Sequence, residues 1–481
     1  MAEQFKDQGG AATMDPSPIF RRIMSKVVRH TQHSEVRLVS RRRKAESARQ
    51  RSGRAHVVEY FHQVADGYSH LASQVLEQFA ARYSVELKCH IVRGPEGNNA
   101  PDAELLLALS RYDAGLIAPQ YGTDFPAGAQ SPAQSLIDLA SSILAASAHN
   151  LMPGLVSAVS QALWADDLGA LRALAEEHGE ADTHATQAAL DTGTQRRTVL
   201  KHYSGGMFYY EGEWYWGVDR LHYLESRLAA LGVDSEPNEP AVAPCPVVDL
   251  GDVENASALT LEFFPSLRSP YTSIVFDETV ALAAQSGVTF RLRPVLPMVM
   301  RGVPATREKG TYIFSDTARE ARRRGVPYGN FFDPIGEPVR RCYSLYPWAD
   351  SQGKGADLLS SFLRHAFSMG VNTNTSRGLR RVVESAGLSW HEAKEHMGDS
   401  AWEGLLEANR LSMYDGGLWG VPSYRLIDAN GDVQLEIWGQ DRLWLVAQEI
   451  RRHHRYAIHP ANIRQRVQVP KGSARLSAPR P

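Results

Sequence analysis

The pattern of apolar and polar positions occurs twice along the chain. One copy begins at His56 (HVVEYFHQVADGYSHLASQVLEQFAARYSVELKCHIV) and the other near Leu259 (LTLEFFPSLRSPYTSIVFDETVALAAQSGVTFRLRPV). Each copy starts with a short apolar run, passes a corner, continues with apolar residues at helical spacing, and ends in a second apolar run. Short apolar runs predict strands, and a spacing of three or four residues predicts an amphipathic helix. We therefore predict two strand–helix–strand units.

Further matches follow in the same order in both halves. LGALRALAEEHG from Leu168 resembles RGLRRVVESAG from Arg377, and Trp-Gly-x-Asp-Arg-Leu occurs at Trp216–Leu221 and at Trp438–Leu443. In the second half, an Asn-Gly turn at Ala429–Asp432 separates two alternating runs, which predicts a β-hairpin. Each half should therefore contain a strand–helix–strand unit, a long helical stretch, and then two strands and a final helix.

The composition changes between the two halves and at both ends. Residues 233–257 are rich in proline and acidic side chains, which is typical of a linker. We therefore predict two homologous α/β domains at 55–232 and 258–455. A basic arm at 1–54 would precede them, and a basic tail at 456–481 would follow.

The charge distribution singles out the N-terminal arm. The whole chain has a net charge of −2, but residues 1–54 contain 13 Lys or Arg against 5 Asp or Glu. A basic arm can bind nucleic acid or an anionic membrane surface. A solvated, poorly ordered tail is the simpler interpretation, and we expect no specific nucleic-acid partner.

The cysteines exclude two classes of protein. Cys89, Cys245 and Cys342 are too far apart for a CxxC motif, so we expect neither a disulfide framework nor a metal site. No run reaches about 18 apolar residues, so no transmembrane segment is predicted. We expect a soluble cytoplasmic protein, which could form a homodimer or use its two halves as an intramolecular pseudo-dimer.

The corner SLRSPYTS in the second half has the composition of a helix start. Proline is favoured in the first turn of a helix, and serine is a preferred N-cap, so Ser269 before Pro270 could simply cap the helix. Alternatively, its hydroxyl could point at a bound thiol. The positive end of a helix and a donated hydrogen bond would both lower the pKa of that thiol.

Several motifs of the second half together resemble the DsbA-like thioredoxin family. The resemblance is to the branch of 2-hydroxychromene-2-carboxylate isomerase and the kappa-class glutathione transferases, in which Ser-Pro-Tyr stands where redox members have CxxC. It covers nearly all of 258–455 and rests on SLRSPYTS, LRP at Leu292–Pro294, REKGTY at Arg307–Tyr312, YDGGLWGVPSYRL at Tyr414–Leu426 and WGQDRL at Trp438–Leu443. It implies two tandem thioredoxin-like domains, each with an inserted helical subdomain.

The resemblance also implies glutathione as the cofactor. Ser269 would hold its thiolate, and the backbone of Val421, before a cis Pro422, would pair with its cysteinyl part. Pro422 could equally be an ordinary trans proline that opens an edge strand.

Other residues of the motifs imply contacts with the ends of glutathione and with the substrate. Gln440 and Asp441 would hold the γ-glutamyl group, although Asp441 could instead cap a helix. Lys309 would reach the glycyl carboxylate, although most exposed lysines are merely solvated. An Asn that the family tends to carry before this lysine is missing from MRGVPATREKG. Tyr271 would border the acceptor site.

The implied activity is that of a glutathione-dependent isomerase or transferase. The thiolate would add to an unsaturated aromatic acid or a similar electrophile. A non-catalytic thioredoxin-fold binding protein is the main alternative. A DsbA-type thiol-disulfide oxidoreductase has the same fold, but the missing CxxC argues against it.

The first half departs from the family pattern. Asp66 stands at the position of the corner serine and Gly67 at that of the proline, and the Gly-Val-Pro motif is absent. Because a carboxylate would repel a thiolate, we interpret this domain as degenerate. It would serve as a scaffold, a pseudo-dimer partner or a different binding site.

Overall fold

The chain divides into two compact units. The computed structural model of the protein describes residues 15–303 and 305–458. One unit consists of Ser34–Pro246 and Ala305–Tyr312, and the other of the described parts of 1–33, 247–304 and 313–481. The beginning of the predicted arm (1–14) and most of the predicted basic tail (459–481) lie outside the described residues.

In the described part of the N-terminal arm, helix α1 (Pro18–Val28), a short π-helix (Arg29–His33) and helix α2 (Glu35–Arg51) follow one another. The interpretation of this arm as a poorly ordered tail is therefore wrong for residues 18–51. Ser17 caps α1 by accepting a hydrogen bond from Phe20 N at 3.3 Å, and Ser34 caps α2 from Arg37 N at 3.4 Å. Capping oxygens satisfy backbone N–H groups that have no partner within a helix, which favours helix formation at these positions.

The first repeat builds a mixed four-stranded sheet. Its strands are β1 (Val57–His62), β2 (Glu86–Ile91), β3 (Met207–Tyr210) and β4 (Glu213–Trp216), in the order β2-β1-β3-β4. β1 pairs with β2 in parallel and with β3 antiparallel, and β3 pairs with β4 antiparallel. The helices are α3 (Gly67–Ser73), α4 (Leu76–Arg82), α5 (Ala103–Ile117), α6 (Gln134–Ala146), α7 (Pro153–Trp164), α8 (Leu168–His178), α9 (Thr183–Val199) and α10 (Gly217–Ala229).

The second repeat builds a sheet of the same order. Its strands are β5 (Thr260–Phe264), β6 (Thr289–Leu292), β7 (Ser423–Ile427) and β8 (Val433–Trp438), in the order β6-β5-β7-β8. The helices are α11 (Pro270–Ser286), α12 (Arg307–Arg324), α13 (Glu337–Ser351), α14 (Gly355–Phe367), α15 (Ser376–Ser385), α16 (Trp390–Ala393), α17 (Ala401–Asp415) and α18 (Leu443–Ile458). The predicted α/β architecture with inserted helices is confirmed for both repeats.

The strand registers establish which residues of the two repeats correspond. Trp216 faces Met207 across the β3–β4 pair, and Trp438 faces Ser423 across the β7–β8 pair. One residue earlier, Gly206 therefore stands where the second repeat has Pro422. The tandem duplication inferred from the sequence is thus visible in backbone pairing.

The predicted hairpin of the second repeat is confirmed. Asp428 begins the turn, and its Oδ1 accepts hydrogen bonds from Asn430 N at 2.8 Å and Asp432 N at 3.0 Å. Gly431 has a φ of +86°, a conformation that glycine adopts without steric cost. The turn chemistry of Asn-Gly therefore fixes the register of β7, the strand that follows the Val421-Pro422 bond.

A buried glutamate in the sheet of the second repeat is held by two arginines. Glu262 on β5 is 2% exposed and accepts hydrogen bonds from Arg293 Nε at 3.0 Å and Arg425 Nη1 at 3.1 Å. A buried carboxylate is stable only when cations or donors satisfy it. These bonds tie the middle of β5 to the middle of β7 and to the residue that follows β6.

The predicted linker is held against the first repeat at its start. Arg82 pairs with Asp234 at 2.9 Å, and Glu225 accepts hydrogen bonds from Val242 N at 2.6 Å and Ala243 N at 3.2 Å. Burial raises the pKa of Glu225, and these donors oppose that shift. The linker has no regular secondary structure here, but side chains of the repeat fix its path.

Candidate functional site

The corner of the second repeat brings a hydroxyl to a helix N-terminus. Ser269 follows β5 and caps α11 with φ −85° and ψ 117°, and its Oγ accepts a hydrogen bond from Thr272 N at 3.1 Å. Pro270 is the first residue of the helix, where its missing N–H leaves no bond unmade. Ser269 is half-buried. The capping role expected from the sequence is confirmed.

The same hydroxyl also reaches the loop before β7. Ser269 Oγ donates to Val421 O at 3.4 Å, and the Val421-Pro422 peptide bond is cis, as predicted. Pro422 O in turn accepts from Gly439 N at 2.9 Å. Three segments that are distant in sequence therefore meet around Ser269: the start of α11, the start of β7 and the end of β8.

The segment after β8 contains the next two candidates. Gln440–Arg442 forms one turn of 3₁₀ helix that leads into α18. Gln440 is 2% exposed, and its side-chain amide accepts from Arg324 at 2.9 Å and donates to Glu320 at 3.3 Å. Its side chain is thus held inside the domain. Its backbone oxygen also accepts from Arg324 at 3.0 Å, which leaves the backbone N–H as the group that can face a ligand.

Asp441 is more accessible than Gln440. Its side chain is 25% exposed and lies 3.5 Å from Arg442 Nη1. Because Gly439 N pairs with Pro422 O, the start of this turn is adjacent to the cis-proline loop. A carboxylate at this position can accept a hydrogen bond from an ammonium group.

Tyr271 is anchored through its hydroxyl. It donates to Asp316 Oδ2 at 2.9 Å, and Asp316 is 1% exposed. The first repeat contains the same bond, from Tyr68 to Asp113 Oδ2 at 2.8 Å. The partners are separated by 45 residues in both repeats. A bond kept in the repeat that lacks the Ser-Pro corner indicates that this pair braces α11 and α3 against the following helices.

Lys309 does not belong to the same unit as the corner. It lies in the first turn of α12, within Ala305–Tyr312, which groups with the unit of the first repeat, whereas Ser269 and Val421 lie in the other unit. Its backbone N–H donates to Thr306 Oγ1 at 3.3 Å. Burial lowers the pKa of the Lys309 ammonium.

The first repeat has the same frame with its corner occupied. Asp66 caps α3, and its Oδ2 accepts from Ser69 N at 2.7 Å and from Ser69 Oγ at 2.9 Å. Burial raises the pKa of this carboxyl, although the hydrogen bonds from Ser69 oppose the shift. The helix N-terminus is therefore already used by an internal acid.

Close packing completes this difference. A Cβ on Gly67 would lie 3.1 Å from Ser110 O and 3.2 Å from Ala114 Cβ, so α5 packs directly on the start of α3. Gly206, which replaces the cis proline, has a φ of +63°, and a Cβ there would lie 3.4 Å from Asp66 Oδ2. The two glycines let backbone and neighbouring helix fill the space around Asp66.

One functional candidate, Arg268, was not identified from the sequence. Arg268, immediately before Ser269, forms a two-point ion pair with Asp333 at 3.1 and 3.2 Å. The motif places a cation beside the corner. Its partner lies 65 residues later in a loop without a motif, so only the fold could identify the pair.

Protein thiols do not supply a nucleophile at this corner. Burial raises the pKa of Cys89 to about 12 and also raises the pKa of Cys342. None of the three cysteines is in a disulfide bond. Within the described part of the chain, no group of three or more His, Cys, Asp or Glu could hold a metal ion. No helix within that part is long and apolar enough to cross a membrane.

Comparison with known proteins gives the family of the second repeat. Residues 260–451 match the model of the DSBA-like thioredoxin domain. A 2-hydroxychromene-2-carboxylate isomerase structure aligns at 18% identity, over 42% of this chain and 99% of its own, with a TM-score of 0.36. Cytosolic disulfide reductase DsbM from Pseudomonas aeruginosa aligns at 18% identity, over 42% of this chain and 100% of its own, with a TM-score of 0.32.

A structure of the same DsbM with GSH aligns at 16% identity, over 42% of this chain and 99% of its own, with a TM-score of 0.30. No curated protein sequence matches the chain. The predicted resemblance to a DsbA-like thioredoxin domain is thereby confirmed for residues 260–451.

The capping role of Ser269 can be separated from any other role by two substitutions. Ser269→Ala should lower the free energy of unfolding by about 1 kcal/mol, because Thr272 N–H loses its acceptor. Ser269→Asp should leave stability within about 0.5 kcal/mol of wild type, because aspartate caps as well as serine does. Urea denaturation of the full chain measures both. Ser351→Ala, at an exposed hydroxyl on a helix end, is the control and should change little. An Asp variant as unstable as the Ala variant would contradict the capping account.

Proposed function

Because residues 260–451 form a DsbA-like thioredoxin domain, we propose that this domain binds glutathione at the corner formed by Ser269 and the Val421-Pro422 loop. Ser269 would donate a hydrogen bond to the glutathione thiolate. The observation that carries the proposal is the meeting of Ser269 Oγ with Val421 O at 3.4 Å, at the N-terminus of a 17-residue helix. The hydroxyl, the helix dipole and the backbone of the half-buried Val421 are thus concentrated in one place.

The electrostatics of the corner support a bound anion. A helix N-terminus carries a partial positive charge, which stabilises a thiolate and lowers the pKa of its thiol. Ser269 can turn its proton from Val421 O to a sulfur atom while its oxygen still accepts from Thr272 N. The hydroxyl therefore caps the helix and stabilises an anion with two different parts of the same group.

The remaining contacts follow from the chemistry of glutathione. The backbone N–H and C=O of Val421 would pair with the cysteinyl residue, as an added strand does. Backbone N–H groups at Gln440 would hold the γ-glutamyl carboxylate, since its side chain is engaged with Arg324 and Glu320. Asp441 would accept from the α-ammonium. Lys309 belongs to the other unit, so the proposed site does not include it.

The proposed reaction is addition of the thiolate to an activated carbon–carbon double bond of an unsaturated aromatic acid or a similar electrophile. For isomerisation, the adduct rotates about the carbon–carbon bond that was double before the addition. Elimination then breaks the carbon–sulfur bond, re-forms the double bond and releases the thiolate. No oxidant, reductant or net proton is required. For conjugation, the adduct takes up one proton and leaves as a thioether. The protein would act in the cytoplasm, where glutathione is reduced.

We also propose that the two domains span residues 55–232 and 258–455. The first repeat would act as a scaffold without a thiolate site, because Asp66 occupies its corner. A dithiol oxidoreductase is disfavoured, since no cysteine stands at either corner. The alternative is a non-catalytic binding protein, and the titration below distinguishes it from an enzyme that stabilises a thiolate.

Calorimetric titration with glutathione tests the thiolate. A cysteine thiol has a pKa of about 8.5, so glutathione that binds as a thiolate at about pH 7 must release a proton, in proportion to the ionised fraction of the bound thiol. This release should diminish at about pH 9.5, where free glutathione is already ionised. Wild type should show it, Ser269→Ala should show less, and Ser269→Asp should lose at least tenfold in affinity because its carboxylate repels sulfur.

Asp66→Asn in the first repeat is the matched control for that titration. It alters the equivalent corner but should leave affinity and proton release unchanged. Absence of binding by wild type at millimolar glutathione would overturn the proposal. Binding without proton release, equal in wild type and Ser269→Ala, would favour a binding protein without thiolate stabilisation.

The role of Asp441 can be tested by removing one group from each partner. Asp441→Asn should weaken glutathione binding at least about tenfold, because a hydrogen bond to a charged group contributes about 1.5–3 kcal/mol. A glutathione analogue without the α-amino group should bind wild type and variant equally. Calorimetry measures all four affinities. If the variant lost the same factor for both ligands, Asp441 would have a structural role and not contact the ammonium.

A further inference from the structure

The first helix of the chain is docked by its polar side. Arg21 on α1 is 2% exposed, donates to Asp333 O at 2.9 Å and to Ile335 O, and pairs with Asp15 at 2.6 Å. Ser25 is fully buried, and its Oγ accepts from Asp333 N at 2.9 Å. These bonds fix the rotation of the helix about its own axis. The side opposite to Arg21 and Ser25 therefore points away from the domain.

That outer side is apolar. Its side chains share a stripe at helical spacing, and they are Ile19 (75% exposed), Phe20 (55%), Ile23 (54%), Met24 (39%) and Val27 (46%). At about 100° per residue, these positions fall within an arc of about 140°. Surface helices ordinarily bury their apolar side and expose their polar side. The α1 helix does the reverse, and a contiguous exposed apolar surface of this kind marks an interaction site.

The charges beside the stripe have one sign. Arg22 and Lys26 are exposed and lie along the edge of the stripe next to Ile19 and Ile23. No acidic residue occurs from Pro18 to Ser34. An apolar stripe with a cationic edge is the composition of helices that lie in the interface of an anionic membrane.

We propose that α1 binds the surface of an anionic phospholipid bilayer, with its apolar stripe inserted among the lipids and Arg22 and Lys26 paired with headgroups. The helix lies in the plane of the surface and does not span the bilayer. Its 11 residues extend only about 16 Å, about half of the hydrocarbon thickness.

A second copy of the chain fits the stripe less well. A stripe about 16 Å long and about 10 Å wide is far smaller than the ~800 Å² per partner of a stable protein interface. In a two-fold dimer through α1, Arg22 and Lys26 of both copies would also approach each other, and like charges repel. A bilayer has neither difficulty, because it is apolar below its headgroups and negative at its surface.

The docking bonds connect this surface to the corner. Asp333, whose backbone holds α1, uses its carboxylate to bind Arg268, the residue before Ser269. Attachment of α1 to lipid would therefore hold the corner at a fixed distance from the membrane. The lipid contact does not depend on glutathione binding, and each can fail without the other.

Co-sedimentation of the full chain with vesicles tests the proposal. Vesicles of phosphatidylcholine alone are compared with vesicles of phosphatidylcholine and phosphatidylglycerol at a ratio of about three to one. Wild type should bind the anionic vesicles at least tenfold more strongly, and added salt should weaken binding. Ile23→Glu should lose at least tenfold of the anionic binding. Arg22→Gln with Lys26→Gln should lose the preference for anionic lipid.

Met369→Glu, at another exposed apolar position of the same unit, is the matched control and should bind as wild type does. All substituted side chains are exposed, so circular dichroism should remain unchanged. The proposal would be overturned if the wild type did not bind anionic vesicles, or if Ile23→Glu bound them as strongly as the wild type does. A dimer that light scattering detects and Ile23→Glu dissociates, without vesicle binding, would assign the stripe to a second copy.

Discussion

The hydrogen bond that caps the helix after each corner, α11 in the second repeat and α3 in the first, constrains which other groups can lie at that corner. In the second repeat, Ser269 Oγ accepts from Thr272 N, and in the first repeat Asp66 Oδ2 accepts from Ser69 N. The helix needs an oxygen at this position, but its requirement does not specify which residue supplies it. Serine adds a proton that can be donated to an anion. Aspartate supplies a carboxyl group that, when ionised, repels an anion. The same structural demand is therefore compatible with the proposed thiolate site in one repeat and disfavours such a site in the other.

The two repeats keep a common frame but differ in the surroundings of this bond. The strand order and the Tyr–Asp brace recur in both repeats. So does the hydrogen bond from the glycine after the last strand (Gly217 or Gly439) to the residue at the cis-proline position (Gly206 or Pro422). Around Asp66, in contrast, Gly67 and Gly206 allow the neighbouring backbone to close the space. Such a pattern is expected when a fold keeps its framework while one copy of the site loses its ligand. It supports the role of scaffold for the first repeat.

Local patterns predicted the features that depend on neighbouring residues. The repeated apolar periodicity indicated both sheets, Asn-Gly indicated the hairpin, and Ser-Pro indicated the cap. Features that depend on distant partners were not accessible. The motif predicts that Gln440 contacts the γ-glutamyl group, yet hydrogen bonds to Arg324 and Glu320 hold its side chain inside the domain. The polar docking of α1 needs Asp333, 312 residues after Arg21, so charge counting alone suggested a tail.

The central claim is that the Ser269 corner stabilises a thiolate, and the ultraviolet absorbance of glutathione thiolate bound to the protein tests it most directly. The absorbance is followed against pH for wild type and Ser269→Ala, with the protein alone as background. We predict that the bound thiol of wild type titrates at least about one pH unit below free glutathione, equivalent to about 1.4 kcal/mol. In Ser269→Ala, the titration should move back toward that of free glutathione. A wild-type titration that coincides with free glutathione would contradict the account.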